Sequence, residues 1–194
     1  MKNIRFILAS RSPRRQELLK LVIDDFETVP SQFDEGELMA QNLSPEELVC
    51  RLSFEKAKEV FSKNPDAVVI GGDTIVVSPQ NTVFGIPKSR EEAFSMLSTL
   101  SGKTHSVLTG ITIYNGDYHS FISATEVEFY ELSEKEINEY LDTDEYTDKA
   151  GAYGIQGFAS TLVKEIRGDY FNVVGFPVSR FKRELIKFLS KKIV

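Results

Sequence analysis

The sequence predicts a mixed α/β fold in which helices flank a central sheet. Three observations lead to this prediction: apolar β-branched segments alternate with segments of helical periodicity, serine caps mark the helix starts, and a meander of strand-like segments occupies the middle of the chain. A chain of 194 residues can bury one substantial core, which could divide into two lobes. We therefore expect a single domain over residues 1–194.

Helix starts define the N-terminal half. Ser12 or Ser10 can cap a helix over 13–22, whose first residue is a proline. Ser44-Pro45-Glu46-Glu47 combines an N-cap, a proline and first-turn acids, so a second helix should run to about Lys63. Strand-like segments separate these helices, over residues 3–9, 26–29 and 67–77.

The C-terminal half continues this alternation. Ser89-Arg90-Glu91-Glu92 and Ser133-Glu134-Lys135-Glu136 match the capping-box pattern, and the first of these helices should end near Gly102. A last helix should begin at about Pro177 and bury an apolar face. The strand-like segments cover residues 104–108, 110–114, 120–130, 160–166 and 170–175.

Composition limits the function classes. The formal net charge of −6 argues against a nucleic-acid polymer as partner, because tracking phosphates needs a basic face, but it allows a small phosphorylated ligand in a local basic pocket. Cys50 is the only cysteine, so no intrachain disulfide can form. No segment suits a signal peptide or a membrane span, so we expect a cytoplasmic protein with no membrane partner.

A basic segment precedes the first helix. Arg11, Arg14 and Arg15 lie at or near the positive end of the helix dipole, where cations are mildly unfavourable. A bound anion would resolve this conflict, because hydroxyls, guanidinium groups and free N–H groups would converge on it. A solvated basic turn is the alternative explanation.

A single carboxylate, Asp73, interrupts the apolar segment over 67–77. An unpaired carboxylate in a strand buried on both faces costs several kcal/mol, so it needs a metal, a cation or water. Gly71 and Gly72 permit a bulge or a close approach of the backbone to a ligand. A hairpin at Gly-Gly-Asp, which would expose the carboxylate, is the alternative.

Two further positions are candidates for ligand contact. Lys56 falls at the centre of an apolar stripe on the helix after Ser44, so it either points inward at an anion or extends to the rim. Gln156 lies in the glycine-rich segment 148–157, where its carboxamide could complement a base edge or satisfy loop backbone. His105 and His119 lack the spacing of a zinc site or a catalytic triad.

Five segments in order resemble the successive motifs of the Maf family, and they cover nearly the whole chain. The segments are residues 8–19, Gly72-Asp73-Thr74, Ser101–Val107, Asp148–Gly157 and Gly168–Gly175. The resemblance implies a nucleoside triphosphate pyrophosphatase with a fold related to the inosine triphosphatases and a cleft between two lobes. Gly-Ile-Gln-Gly resembles the subfamily that acts on dTTP and UTP.

The resemblance also implies roles for individual residues. Asp73 matches the family's catalytic base, and the other matching positions contact substrate: Ser10, Arg14, Lys56, Thr74 and Gln156. An acid near Asp34-Glu35 matches a further pocket position, so we expect Asp73 and Glu35 to be metal ligands. The chain departs from the family at Gly85-Ile86-Pro87-Lys88, where members commonly have Gly-Lys-Pro. Either Lys88 takes over the phosphate contact or that contact is missing.

These assignments give a mechanism. Arg14, Arg15 and Lys56 would neutralise a triphosphate bound with Mg²⁺, Mn²⁺ or Co²⁺. Asp73 would take a proton from the water that attacks the α-phosphorus, and the products would be a monophosphate and pyrophosphate. The place of attack follows from the resemblance.

Two other functions stay open. A nucleotide-binding regulator of septum formation or cell division would use the same pocket without catalysis. A house-cleaning pyrophosphatase could instead act on purine nucleotides such as methylated GTP or ITP, although Gln156 argues against it. The sequence does not fix the oligomeric state, and a homodimer is one candidate.

Overall fold

The predicted fold class, a mixed central sheet with flanking helices, is confirmed by a computed structural model, which describes residues 4–190. The strands are β1 Phe6–Leu8, β2 Glu27–Thr28, β3 Val68–Val77, β4 Val83–Phe84, β5 Thr104–Tyr114, β6 Tyr118–Phe129 and β7 Val163–Arg167. The helices are α1 Pro13–Leu19, α2 Gly36–Met39, α3 Pro45–Lys63, α4 Arg90–Leu100, α5 Glu134–Leu141, α6 Tyr170–Val174 and α7 Val178–Ser190. Short 3₁₀ turns cover Ala150–Ala152 and Phe158–Thr161.

The sheet mixes parallel and antiparallel pairing. Its strand order is β2-β1-β3-β5-β6-β7, and β4 pairs with β3 off this path. β1 pairs in parallel with both β2 and β3, which places Ile7 beside Val69. β4 is antiparallel to β3, and β7 is antiparallel to β6. The two segments predicted at 104–108 and 110–114 form the single strand β5.

Side-chain caps start the helices where the sequence predicts. Four N-cap serines each accept a hydrogen bond from the backbone N–H three residues later: Ser12, Ser44, Ser89 and Ser133. The full capping box forms at α3 and α5. At Ser89 the reciprocal bond predicted from Glu92 is absent, because the Glu92 carboxylate accepts a hydrogen bond from the Lys88 N–H instead.

One predicted strand is wrong. Residues 170–175 suit a strand by composition, yet Tyr170–Val174 forms the helix α6. The Asp169 carboxylate accepts a hydrogen bond from the Phe171 N–H, and the buried Asn172 amide donates to the Val107 carbonyl at 3.0 Å and to Thr125 Oγ1 at 3.1 Å. These polar contacts with the sheet require the helical turn and override local strand propensity.

The chain forms two compact units. Unit 1 contains residues up to 73, 109–123 and from 175 onward; unit 2 contains residues 74–108 and 124–174. Buried aliphatic residues from α3 and from β1 and β3 with the residues next to these strands form a core cluster in unit 1, made of Ile7, Ala9, Ala57, Val60, Ala67 and Val69. In unit 2 the largest fully buried side chains are Leu97, Leu100, Phe129 and Tyr140. No helix within residues 4–190 has the length and apolar character that crossing a bilayer requires.

Candidate active site

Asp73 ends the part of β3 that belongs to unit 1. The strand is continuous through this residue, so the alternative of a hairpin at Gly-Gly-Asp is wrong. The Asp73 side chain is only 15% exposed. Burial raises the pKa of Asp73 above its ordinary 3.8, with Glu35 adding to this rise, while Lys56 and Arg15 oppose it. The carboxylate therefore has the cationic partner that its buried position demands.

Lys56 supplies that partner. Its Nζ donates to Asp73 Oδ1 at 2.5 Å and lies 2.7 Å from Glu35 Oε1. The lysine side chain is also 15% exposed, so it points inward rather than extending to the rim. Burial would lower the pKa of Lys56, but the carboxylates of Asp73 and Glu35 raise it above 10.5 overall. One ammonium group thus contacts two converging carboxylates and offsets the charge of one of them.

Close packing of α3 on the sheet brings Lys56 to Asp73. A Cβ atom added at Gly71 would lie 2.2 Å from the Ser53 carbonyl oxygen, and one added at Gly110 would lie 2.4 Å from the Val49 carbonyl oxygen. Only glycine allows helix backbone this near to the strands β3 and β5. We predicted that Gly71 permits a bulge or a close approach of the backbone to a ligand; the structure shows that it allows the approach of α3.

Hydroxyl groups fix the same helix to the sheet. Ser53 Oγ donates to the Cys50 carbonyl and shares a hydrogen bond of 2.9 Å with Thr112 Oγ1, which shares another of 2.7 Å with Ser120 Oγ. These polar atoms are satisfied within the helix–sheet contact. Since Ser53 lies one turn before Lys56, this chain of hydrogen bonds also orients the helix face that carries the lysine.

Arg15 lies in the same unit and is held by two further contacts. Its Nη1 donates to Ser10 Oγ at 2.9 Å, and its Nε donates to the Gly175 carbonyl at 3.0 Å. Burial lowers the pKa of Arg15, Asp73 raises it and Arg14 lowers it. Ser12 rather than Ser10 caps α1, while Ser10 Oγ accepts from the Ser12 N–H. The structure therefore brings Ser10 and Arg15 together, with Arg14 half-buried on the same helix.

Three predicted substrate residues belong to unit 2. Thr74 is half-buried and directly follows Asp73 on β3. Lys88 is exposed just before α4, and Ile86, at the position of the missing family lysine, is 57% exposed. Gln156 is exposed between the two 3₁₀ turns.

Hydrogen bonds anchor the glycine-rich segment that carries Gln156 on both sides of the glutamine. Gly151 has a φ of 69° and its N–H donates to the Gly85 carbonyl at 3.0 Å. After Gln156, the Phe158 N–H donates to Glu145 Oε2 at 3.0 Å. The sequence predicted a loop here. It did not predict the contact with Glu145, because no sequence pattern indicates that this carboxylate accepts a hydrogen bond from the loop backbone.

Asp73 and Glu35 are the carboxylates that could share a hard cation. Both reach the same Lys56 ammonium, so their oxygens converge, and an all-oxygen donor set suits Mg²⁺ or Mn²⁺. Within residues 4–190 no group of three or more potential ligands converges, so phosphate oxygens would have to complete the coordination. Asp73 and Glu35 could therefore supply two oxygen ligands to a divalent ion.

A family model described as Maf-like protein matches residues 5–188. The chain belongs to the Maf family. A dTTP/UTP pyrophosphatase from a Geobacillus species is 49% identical over 180 residues, covering 92% of this chain and 95% of that protein. The Bacillus velezensis dTTP/UTP pyrophosphatase is 48% identical over 188 residues, covering 96% and 98%.

A solved structure of a nucleoside-triphosphatase, a dITP/XTP pyrophosphatase from Mycobacterium abscessus, is a more distant neighbour of this Maf protein. It is 12% identical, with a TM-score of 0.42, and the match covers 66% of this chain and 76% of the other.

Proposed function

We propose that this Maf protein is a nucleoside triphosphate pyrophosphatase that hydrolyses dTTP and UTP to the monophosphate and pyrophosphate. The buried ion pair of Asp73 and Lys56 is the observation that supports the proposal, because it holds a carboxylate beside a cation at the position to which the sequence resemblance assigns the catalytic base. The high identity to relatives named dTTP/UTP pyrophosphatase supports the choice of substrate.

Asp73 is the proposed general base. Its carboxylate would accept a proton from a water molecule while the water oxygen forms a bond to the α-phosphorus. The bond from that phosphorus to the bridging oxygen would break, and pyrophosphate would leave with the electron pair. A pKa raised by burial brings the carboxylate nearer to the operating pH, which makes it a better base than an exposed aspartate.

Cationic groups would stabilise the phosphates. Lys56 donates to Asp73 and lies within salt-bridge distance of Glu35, and an ammonium group has three donors, so it could also reach a phosphate oxygen. Arg15 is already oriented by Ser10 and Gly175, so little side-chain entropy is lost when it acts. We assign phosphate contacts to Arg14, Arg15 and Lys88 and a supporting hydroxyl to Ser10.

Asp73 and Glu35 would hold the divalent ion, Mg²⁺, Mn²⁺ or Co²⁺. When bound, such an ion supplies positive charge that offsets the negative charge of the phosphates. Lys56 would have to give up or share its contacts with these two carboxylates.

Gln156 and Thr74 would select the base. Uracil and thymine present an N3–H donor beside an O4 acceptor, so a single carboxamide can accept from one and donate to the other. Cytosine has an acceptor at N3 and a donor at N4, which is the reverse of both groups. A fixed carboxamide left unmatched costs enough to discriminate by orders of magnitude. UTP and dTTP should be good substrates, and CTP, ATP and GTP should be poor.

A substrate panel in ¹⁸O-labelled water tests the proposal. Purified enzyme with Mg²⁺, Mn²⁺ or Co²⁺ is assayed for pyrophosphate with UTP, dTTP, CTP, ATP, GTP and a methylated GTP. Label in UMP supports attack at the α-phosphorus, whereas label in pyrophosphate refutes it. Faster turnover of GTP than of UTP refutes the pyrimidine assignment, and binding of nucleotides without any product would indicate a regulator instead.

A further inference from the structure

A buried histidine contacts the segment that carries Gln156. His105 lies in β5, is 2% exposed, and its Nε2 is 2.8 Å from the hydroxyl oxygen of Tyr153. The rings of His105, Tyr153 and Phe129 pack edge to face, with centroid distances of 4.9 to 5.4 Å. Burial lowers the pKa of His105 to about 4, so the imidazole is neutral at pH 7. All three residues belong to unit 2.

Burial of an imidazole at this position costs desolvation free energy. Its neighbours are aromatic rings, and its second nitrogen, Nδ1, has no hydrogen-bond partner among the described residues. A phenylalanine would pack in the same space without that desolvation cost. Unlike phenylalanine, the histidine forms a hydrogen bond with the Tyr153 hydroxyl. This bond holds the tyrosine ring in one orientation and at one position in the core.

The tyrosine in turn fixes the backbone before Gln156. Tyr153 is buried three residues before the glutamine, and Ile155, one residue before it, is buried as well. In the preceding turn the Gly151 N–H donates to the Gly85 carbonyl, and after Gln156 the Phe158 N–H donates to the Glu145 carboxylate. Within the described residues, the carboxamide of Gln156 itself has no hydrogen-bond partner. The protein therefore positions this side chain through its backbone alone, and the carboxamide has no further contact that holds it.

We propose that His105 and Tyr153 are positioning residues for base selection, which hold the backbone of residues 153–156 so that the Gln156 carboxamide meets a uracil or thymine edge. This inference rests on the proposed function, in which Gln156 contacts the base. Selectivity needs this support, because a shift of this backbone moves the carboxamide out of line with the N3–H and O4 groups of the base. A displacement at such a contact leaves the donor and acceptor of the carboxamide imperfectly matched to the base, which weakens the preference in binding.

The double variant His105→Phe/Tyr153→Phe separates positioning from stability. Replacing both partners of a buried hydrogen bond by apolar groups of similar shape is nearly neutral or stabilising, so the melting temperature should be unchanged or higher. Tyr153→Phe alone is the smaller change and serves if the double variant does not fold. Tyr146→Phe is the matched control, because it also alters a buried tyrosine of unit 2 but leaves the bond to His105 intact.

The readout is the ratio of kcat/KM for UTP to kcat/KM for CTP. We expect this ratio to fall about 10-fold or more in the double variant and in Tyr153→Phe, mostly through a weaker preference in KM, with kcat for UTP changed far less. Tyr146→Phe should keep the ratio of the unmodified enzyme. A double variant or Tyr153→Phe that folds and keeps the full UTP preference refutes the inference. If the unmodified enzyme does not prefer UTP over CTP, the proposed function fails instead.

Discussion

The contact between Gly71 and α3 makes Gly71→Ala the most informative single change. The added methyl group would lie 2.2 Å from the Ser53 carbonyl oxygen, 2.8 Å from Ala57 Cβ and 2.9 Å from the Ala57 nitrogen. Two of these three atoms belong to helix backbone, so no side-chain rotation can relieve the overlap. The helix has to move away from the strand, and it carries Lys56 with it.

The size of this movement follows from ordinary contact distances. Non-bonded carbon atoms pack at about 3.5 Å, so α3 has to retreat by about 1 Å. Overpacking of this kind costs about 1–3 kcal/mol, of which alanine in a strand recovers about 0.5–1 kcal/mol relative to glycine. The net loss in the free energy of unfolding should therefore lie between about 0 and 2.5 kcal/mol. A lysine displaced by about 1 Å from Asp73 should lower kcat/KM for UTP on the order of 10²-fold.

Urea denaturation and steady-state pyrophosphate release measure the two effects on one protein preparation. Gly85→Ala is the matched control for stability, because a Cβ atom there meets nothing within 4 Å. It should be as stable as the unmodified protein. If Gly71→Ala unfolds at the same urea concentration and retains full activity, the packing of α3 does not set the position of Lys56, and the reasoning is wrong.

Three other changes test the site. Asp73→Asn should lower kcat by about 10² to 10⁴ while circular dichroism stays unchanged, and turnover at the normal rate would refute its role as base. The Lys56 cation lowers the pKa of Asp73, so Lys56→Met should raise the pKa of this carboxyl. The acidic limb of the profile of kcat/KM against pH should then move to higher pH, and an unmoved limb would show that Lys56 does not control the ionisation of Asp73. Gln156→Glu removes the donor to O4, so kcat/KM for UTP should fall at least about 10-fold in the pyrophosphate assay, and equal losses for CTP would contradict base recognition.

Local signals explain why much of the fold could be predicted. The N-cap serines fixed the starts of α1, α3, α4 and α5, because a cap acts within a single helical turn. The apolar stripe around Lys56 and the apolar flanks of Asp73 left burial and exposure as alternatives for each side chain, and the structure shows that both are buried. Their pairing was not predicted, because Lys56 was expected either to point at a bound anion or to extend to the rim, and it contacts the Asp73 carboxylate instead.

Contacts between distant residues could not be predicted in the same way. Glu35 meets Lys56 because the four-residue helix α2, which has no sequence signature, places it there. The bond between His105 and Tyr153 joins residues 48 positions apart, and neither residue's neighbours in sequence indicate the other. The helix α6 forms because Asn172 bonds to β5 and β6, a requirement that the local sequence does not contain.

The helix α6 consists of residues that favour strands, and this has a consequence for aggregation. Tyr170-Phe171-Asn172-Val173-Val174-Gly175 has high strand propensity, no charge and no proline, which is the composition of segments that form intermolecular β-sheets. In the native protein the cap at Asp169 and the bonds of Asn172 hold it as a helix. Once heat or denaturant breaks those bonds, the segment is free to pair with its copies, with Arg167 and Asp169 as the nearest charges that oppose stacking. Irreversible loss of this protein on heating should therefore begin at α6.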